Sequence, residues 1–329
     1  MTIAMALKLA MLVPLIATTA AVGQSTSKPA RIGLLVTGPP PAEHTCVHGL
    51  RRGLVDLGYV EGRTHLFEVR WADARPEETF PRFGAELVTL GVDLIVAVTS
   101  SGLPEAKLSM ATLPVVMAVG SYPVERGLVA SLSRPGGNIT GMATFVGDLY
   151  AKRIQLLTEA LPGVSRVAIL RVPGDQSNLI VRDFERAARQ LGLKLNVIAL
   201  KGSGGEDLPA AFQTAVRGGA QAVMTTQSPF FYQQRHLIAD LALQRKLPSL
   251  SGEPLGAEAG MLVTHGTSIF DSCYRSATFV DRIIKGAKPA NLPVEQPTKF
   301  ELVVNLKTAR ALGLVLPKAL LVRADRIIE

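Results

Sequence analysis

Thr99, Ser100 and Ser101 form the segment of this chain best equipped to hold a small anion. They follow an apolar run from Val92 to Val98 and lead into Gly102, where a helical stretch begins. Amides at a helix start, joined by hydroxyl groups, bind carboxylates. The same residues also serve as ordinary N-caps, and the two roles can coexist. Gly120, Ser121 and Tyr122 stand in the equivalent place after the next apolar run. Phe145 lies where the chain should leave its first half. In the second half, Ser228 follows another apolar run, and Phe230 and Phe231 just beyond it could stack on a ligand ring or chain, or simply pack. Glu253 and His265 close later loops and could supply charge. The chemistry these residue types allow is recognition of a small organic molecule.

Patterns for catalysis are missing from the sequence. It has no G-x-S-x-G elbow, no H-E-x-x-H and no Walker motif, so no enzymatic activity and no cofactor are expected. The glycines of Lys201-Gly-Ser-Gly-Gly205 do not fit a phosphate cradle. His44 and His48 are four apart on a helical stretch and could bind a metal. Without a neighbouring carboxylate or cysteine motif they read as a surface pair. The net charge is +8, but the basic residues are scattered singly or in pairs such as Arg51-Arg52 and Lys152-Arg153. That is a solvated surface rather than a nucleic-acid footprint.

The elements that position these residues come in two matching sets. Arg31-Ile-Gly-Leu-Leu-Val-Thr-Gly38 is echoed by Arg166-Val-Ala-Ile-Leu-Arg-Val-Pro-Gly174. Glu86 to Ser101 is echoed by Thr214 to Ser228. Each set alternates short apolar strands with helical stretches, which predicts α/β lobes with parallel sheets. Two such lobes would hold a ligand where the carboxyl ends of their strands converge. A chain of 329 residues, 47% of them hydrophobic, is large enough for both. The spacing further predicts helices over 44–57, 76–90, 102–112, 149–160, 177–191, 208–217, 231–244 and 269–285. Shorter helical turns are predicted over 125–131, 308–312 and 319–327.

Residues 1–23 have the composition of a cleavable signal peptide: Lys8, an apolar core from Leu9 to Ala17, and Ala21-Val-Gly23 before Gln24. An uncleaved anchor is the alternative reading. No cysteine near the cut offers a lipid site, and no other segment is apolar enough to span a bilayer. Cys46 and Cys273 fall on predicted helices. Export to an oxidising space allows a bond between them, and two separate buried thiols is the competing reading.

Several longer motifs carry a family resemblance. They are Gly58-Tyr-Val-Glu-Gly62, Tyr122-Pro-Val124, Gly127 to Gly141, Lys152-Arg153, and Leu292 to Gly313. Through them the chain, from about Arg31 onward, resembles the ABC-transporter substrate-binding proteins associated with tryptophan and other aromatic amino acids. The resemblance implies a type I periplasmic binding fold, with two Rossmann-like lobes joined by a three-segment hinge. The crossovers would lie near Thr144, Gly266 and Pro297. Lobe 1 would then comprise 30–144 plus 267–297, and lobe 2 145–266 plus 298–329. It also implies a monomeric periplasmic receptor that hands an aromatic or carboxylate-bearing solute to an ABC permease and its ATPase. A periplasmic sensor feeding a signalling protein is the alternative. The family's binding loops match Thr99 to Ser101, Gly120 to Tyr122, Phe145, and Ser228 to Phe231. Members commonly carry Asp where Tyr122 and Ser228 stand, and an Asn-Pro-rich turn where this chain has Val172-Pro-Gly-Asp175. Losing two carboxylates disfavours a ligand ammonium and favours a less cationic solute.

Overall fold

The computed structural model describes residues 28–37, 45–72, 76–144, 147–172, 175–200, 205–226 and 228–329. The expected signal peptide, His44, Phe145 and Gln227 lie outside them. In chain order the first half runs β1 (Ala30–Thr37), α1 (Thr45–Asp56), β2 (His65–Ala72), α2 (Pro76–Thr89), β3 (Leu94–Ala97), α3 (Leu103–Ala106), β4 (Val115–Gly120) and β5 (Ile139–Ala143). The second half runs α4 (Asp148–Ala160), β6 (Arg166–Arg171), α5 (Asp175–Gln190), β7 (Lys194–Ala199), α6 (Leu208–Arg217), β8 (Ala222–Thr225), α7 (Pro229–Gln233), α8 (Arg235–Gln244), β9 (Ser249–Ser251), α9 (Leu255–Glu258) and β10 (Val263–Gly266). The chain closes with α10 (Ile269–Ile284), β11 (Glu301–Asn305), α11 (Leu306–Ala311), α12 (Lys318–Arg323) and β12 (Arg326–Ile328).

The repeat seen in the sequence becomes a repeated topology. One sheet has the order β2-β1-β3-β4-β5, and β7-β6-β8-β9-β10 has the same order within the second sheet. All pairs within these two sets are parallel. Helices cover both faces of such sheets, so central strands are buried along their whole length. Accordingly, every residue of β3 (Leu-Ile-Val-Ala) and β8 (Ala-Val-Met-Thr) is buried. The chain passes between the lobes three times: between β5 and α4, between β10 and α10, and before β11. Ahead of the last passage, Glu295 pairs with Met142 beside β5.

Helix α10 returns to pack on α1 in the first lobe. Their axes come unusually close because Gly49 and Gly53 face the partner helix. A Cβ on Gly49 would sit 2.5 Å from the Phe270 carbonyl oxygen, and one on Gly53 would sit 2.7 Å from the Ala277 Cβ. One turn before Gly49, Cys46 is bonded to Cys273, with the two Cα atoms 5.2 Å apart. The disulfide, rather than two separate thiols, is therefore present. Trp71 is partly buried and packs with Phe67 and Val69 on the face that α1 and α10 cover.

Several expected elements differ. Residues 125–131 form turns, not a helix: Gly127 adopts φ +66° and ends the single coil that Arg126 N–H to Tyr122 O begins. The helix expected over 231–244 breaks at Gln234 into α7 and α8, because Ser228 and Pro229 start a helical turn of their own. The helix expected at 102–112 is only one turn, α3. The tail does not stay helical through Ile327: after Arg323 it becomes β12, which pairs with β11. The second sheet is not wholly parallel, since β11 runs antiparallel to β10. No helix among the described residues is long and apolar enough to cross a membrane.

The disulfide closes a loop of 227 residues, so its loss should matter. Denatured protein is expected to show no free thiol before reduction and two after it. The reduced form should be less stable by about 2–5 kcal/mol in chemical denaturation. Equal thiol counts with and without reductant would contradict the bond.

Candidate functional site

The carboxyl ends of the two sheets meet. Thr45, at the start of α1 after β1, shares a hydrogen bond of 2.5 Å with the hydroxyl of Tyr232 in α7 after β8. Tyr122, two residues beyond β4, donates its hydroxyl to Asp183 Oδ2 of α5 at 2.6 Å. These two bonds cross from lobe to lobe and frame the space between them.

On the lobe 1 side, Thr99, Ser100, Ser121 and Thr144 are buried and largely occupied with one another. The Ser121 amide donates to Ser100 Oγ at 2.9 Å. Thr144 Oγ1 donates to Gly120 O at 3.0 Å and lies 3.2 Å from Ser121 Oγ. Arg126 reaches both the Ser100 carbonyl and its hydroxyl at 3.0 Å. The amides expected to be free at this helix start are engaged: Ser100 N–H donates to Val119 O, and Ser101 N–H to Thr99 Oγ1. Helix α3 is too short to offer an anion site of its own, and its N-cap, Gly102, is left-handed.

On the lobe 2 side, Ser228 caps α7 by accepting from the Phe231 amide. Phe231 is buried in the core under α6 and α8, edge-on to a partly buried Phe230 at 5.2 Å. His265 stacks on Phe300 at 6.1 Å. Burial first, then Arg153 and Lys152, lower its imidazole to about 4, so it is neutral at neutral pH. Burial raises the Glu253 carboxyl to about 8.

Arg153 links these lobe 2 loops. It is 1% exposed, donates to His265 O at 2.8 Å and to Gly252 O at 3.3 Å, and lies over the Tyr150 ring. Gly252 and Gly266 have to be glycine here. A Cβ on the first would overlap the guanidinium, and one on the second would overlap the Gly252 carbonyl. The sequence reading missed Arg153, Tyr150 and Asp183 as members of this region. A signal for two of them was there. Arg153 sits in the apolar stripe Tyr150–Ile154–Leu157 of α4, and Asp183 in the stripe Ile180–Phe184–Ala187 of α5. A charge on the buried face of a helix must find partners inside.

Buried side-chain atoms with no hydrogen-bond partner mark the same region. Among the described residues they are Thr37 Oγ1, Tyr150 OH, Arg153 Nη1, Thr226 Oγ1, Glu253 Oε2 and His265 Nδ1, besides both ring nitrogens of His65. His65 apart, all lie at the carboxyl ends of β1, β8, β9 and β10 or in the first turns of α4. Buried polar groups are nearly always paired, so this concentration singles out the strand ends as the candidate binding region. Among the described residues, no group of three His, Cys, Asp or Glu side chains could hold a metal.

A family model described as ABC transporter substrate binding protein matches residues 31–328. The chain belongs to this family. It is a substrate-binding component of an ABC transporter. This substrate-binding protein is 21% identical over 292 residues to a tyrosine-binding protein of Clostridioides difficile, covering 88% of this chain and 82% of that one. A Streptococcus pneumoniae ABC domain solved in complex with L-Trp superposes with a TM-score of 0.80 at 23% identity, covering 90% of this chain and all of the other. A conserved domain protein from Vibrio cholerae gives 0.83 at 23% identity over 91% of this chain and all of that one. These likenesses establish the two-lobed fold.

Glu253 supplies a test of the site's electrostatics. Arg153, Arg235 and the Leu255 amide only partly offset its burial. The folded chain therefore keeps this proton up to about pH 8, whereas the unfolded chain releases it near 4.5. Its contribution to stability is complete below the unfolded value and lost as pH rises through the folded one. Glu253→Gln is expected to flatten the decline in unfolding free energy from about pH 5 to about pH 8. Urea titrations at several pH values measure this. A variant profile parallel to the parent's would refute it.

Proposed function

We propose that this protein binds a carboxylate-bearing organic solute between its lobes and presents it to an ABC permease and its ATPase. It acts as a periplasmic monomer after removal of a signal peptide at residues 1–23. The lobes are taken as 30–144 plus 267–297 and 145–266 plus 298–329, a division that sheet membership supports. The observation that carries the reading is the set of unpartnered buried polar atoms at the strand ends that face each other across the lobes.

The chemistry of that set favours an oxygen-rich ligand. Arg153 Nη1 and Tyr150 OH are donors, and a Glu253 that holds its proton to about pH 8 is a donor too. Among the described residues, the carboxyl groups at these strand ends are poorly suited to a ligand ammonium, since Glu253 holds its proton to about pH 8. Asp183 is engaged by Tyr122, Arg182 and Arg186, and Ser228 is a cap. The relatives named for tyrosine and L-Trp support a ligand of amino-acid size. The donor-rich walls support its deaminated or purely acidic counterpart. Thr99, Ser100, Ser101, Gly120, Ser121 and Phe145 would contribute from lobe 1 and the hinge, and Ser228, Phe230, Glu253 and His265 from lobe 2. In this reading Phe231 serves through packing.

Thermal melting of the chain from Gln24 onward, against matched amino acids and deaminated acids together with short carboxylates and sugars, tests this. A ligand at a hundred times its dissociation constant adds about 2.7 kcal/mol, a visible shift. The expected result is a shift from carboxylic acids. Tight binding of tryptophan or phenylalanine, with none of their deaminated acids, would overturn the ligand class.

A further inference from the structure

Tyr122 is the most unusual residue of the cleft. It belongs to lobe 1, just past the end of β4, yet it is 1% exposed and buried in the same apolar cluster as Tyr150, Ile154 and Phe184 of lobe 2. Its backbone is left-handed, with φ 50°, one of two such non-glycine residues described. Residues other than glycine, asparagine and aspartate rarely adopt that conformation, and they keep it where surrounding contacts over-determine it. Here the side-chain contacts lie in the other lobe. The phenol donates to Asp183 Oδ2, and burial and that bond push its titration well above the ordinary range, so it remains a donor. Asp183 Oδ1 meanwhile takes Arg182 at 3.3 Å and Arg186 at 3.1 Å. The carboxylate is thus satisfied by the protein itself, whereas Tyr150 OH and Arg153 Nη1 close by are not.

We propose that Tyr122 is an in-chain occupant of the cleft: its phenol fills a ring-sized slot in lobe 2 and its bond to Asp183 latches the lobes together. The latch holds the closed form before any solute bridges it, with the Thr45–Tyr232 bond as a second point of attachment. The filled slot limits a solute to the neighbouring polar space, so acids carrying a para-substituted ring are excluded. The size limit rests on the solute-binding reading above; the latch does not.

Truncation separates the two. Tyr122→Ala should raise the radius of gyration in solution X-ray scattering, with no solute present. Adding 4-methylphenol, the missing side chain, should restore compactness and raise the melting temperature. Toluene, which lacks the hydroxyl, should bind about tenfold more weakly. A Tyr122→Ala protein as compact as the parent, or one that does not bind 4-methylphenol, overturns the proposal. If that variant does not fold, Tyr122→Phe keeps the ring and removes only the bond. Amide exchange over residues 122–128 should then quicken while the sheet amides stay protected, and unchanged exchange overturns the latch. For the size limit the probe is 4-hydroxyphenylpropanoate, expected to bind Tyr122→Ala at least about tenfold more tightly than the parent. Equal binding by both, or none by the variant, overturns the limit. Failure of every carboxylate to shift the parent's melting would count against the solute reading and leave the scattering result standing.

Discussion

A guanidinium buried as deeply as Arg153 has to be hydrogen-bonded, and the geometry of lobe 2 follows from how that is done. The side chain leaves α4 immediately after the first passage between lobes and reaches the carbonyls of Gly252 and His265. Those carbonyls belong to the loop after β9 and to the end of β10, where the chain is about to make its second passage. One side chain thereby ties two of the three connections together. It also dictates composition around it, because Gly252 and Gly266 leave no room for a Cβ. The charge further shapes its surroundings: it adds to the burial that lowers the His265 imidazole and partly offsets the desolvation of Glu253.

The lobes are alike in topology but unlike in what they bring to the cleft. Lobe 1 presents small hydroxyl residues, Thr99, Ser100, Ser121 and Thr144, that are mostly satisfied within their own loops. Its shape is held by α1 against α10 at Gly49 and Gly53, with the disulfide on the same seam. Lobe 2 presents larger polar groups with capacity left over. A mostly self-satisfied face opposite a less satisfied one suits capture. Closure brings a partner to the second face, and the free energy of closing is the differential affinity of a solute for the closed form. Tyr122 complicates this two-sided scheme, since lobe 1 already extends one side chain into lobe 2.

Much of the fold was legible in the sequence because it rests on periodicity. Continuous apolar runs marked β3 and β8, and the repeated strand–helix pattern announced two sheets of the same order. Two of the misjudged elements depended on distant pairing. Residues 319–327 have helical spacing, but the last of them become a strand because β11 offers an open edge. Met261 to Val263 reads as a short strand, yet pairing with β9 and β11 places β10 at Val263–Gly266.

The candidate site divides in the same way. Residue type and position after a strand were enough to single out the hydroxyl loops, Glu253 and His265, because strand ends of a parallel sheet converge whatever surrounds them. The sequence alone also determined two lobes, the family resemblance, and a cysteine pair capable of bonding. Only the tertiary structure decided that the cysteines meet, that Phe231 points into the core, that Arg153 braces the hinge, and that Tyr122 crosses to Asp183. Each of these depends on distance between residues tens to hundreds of positions apart. Local pattern encodes which face of an element is apolar, but not which distant face it will meet.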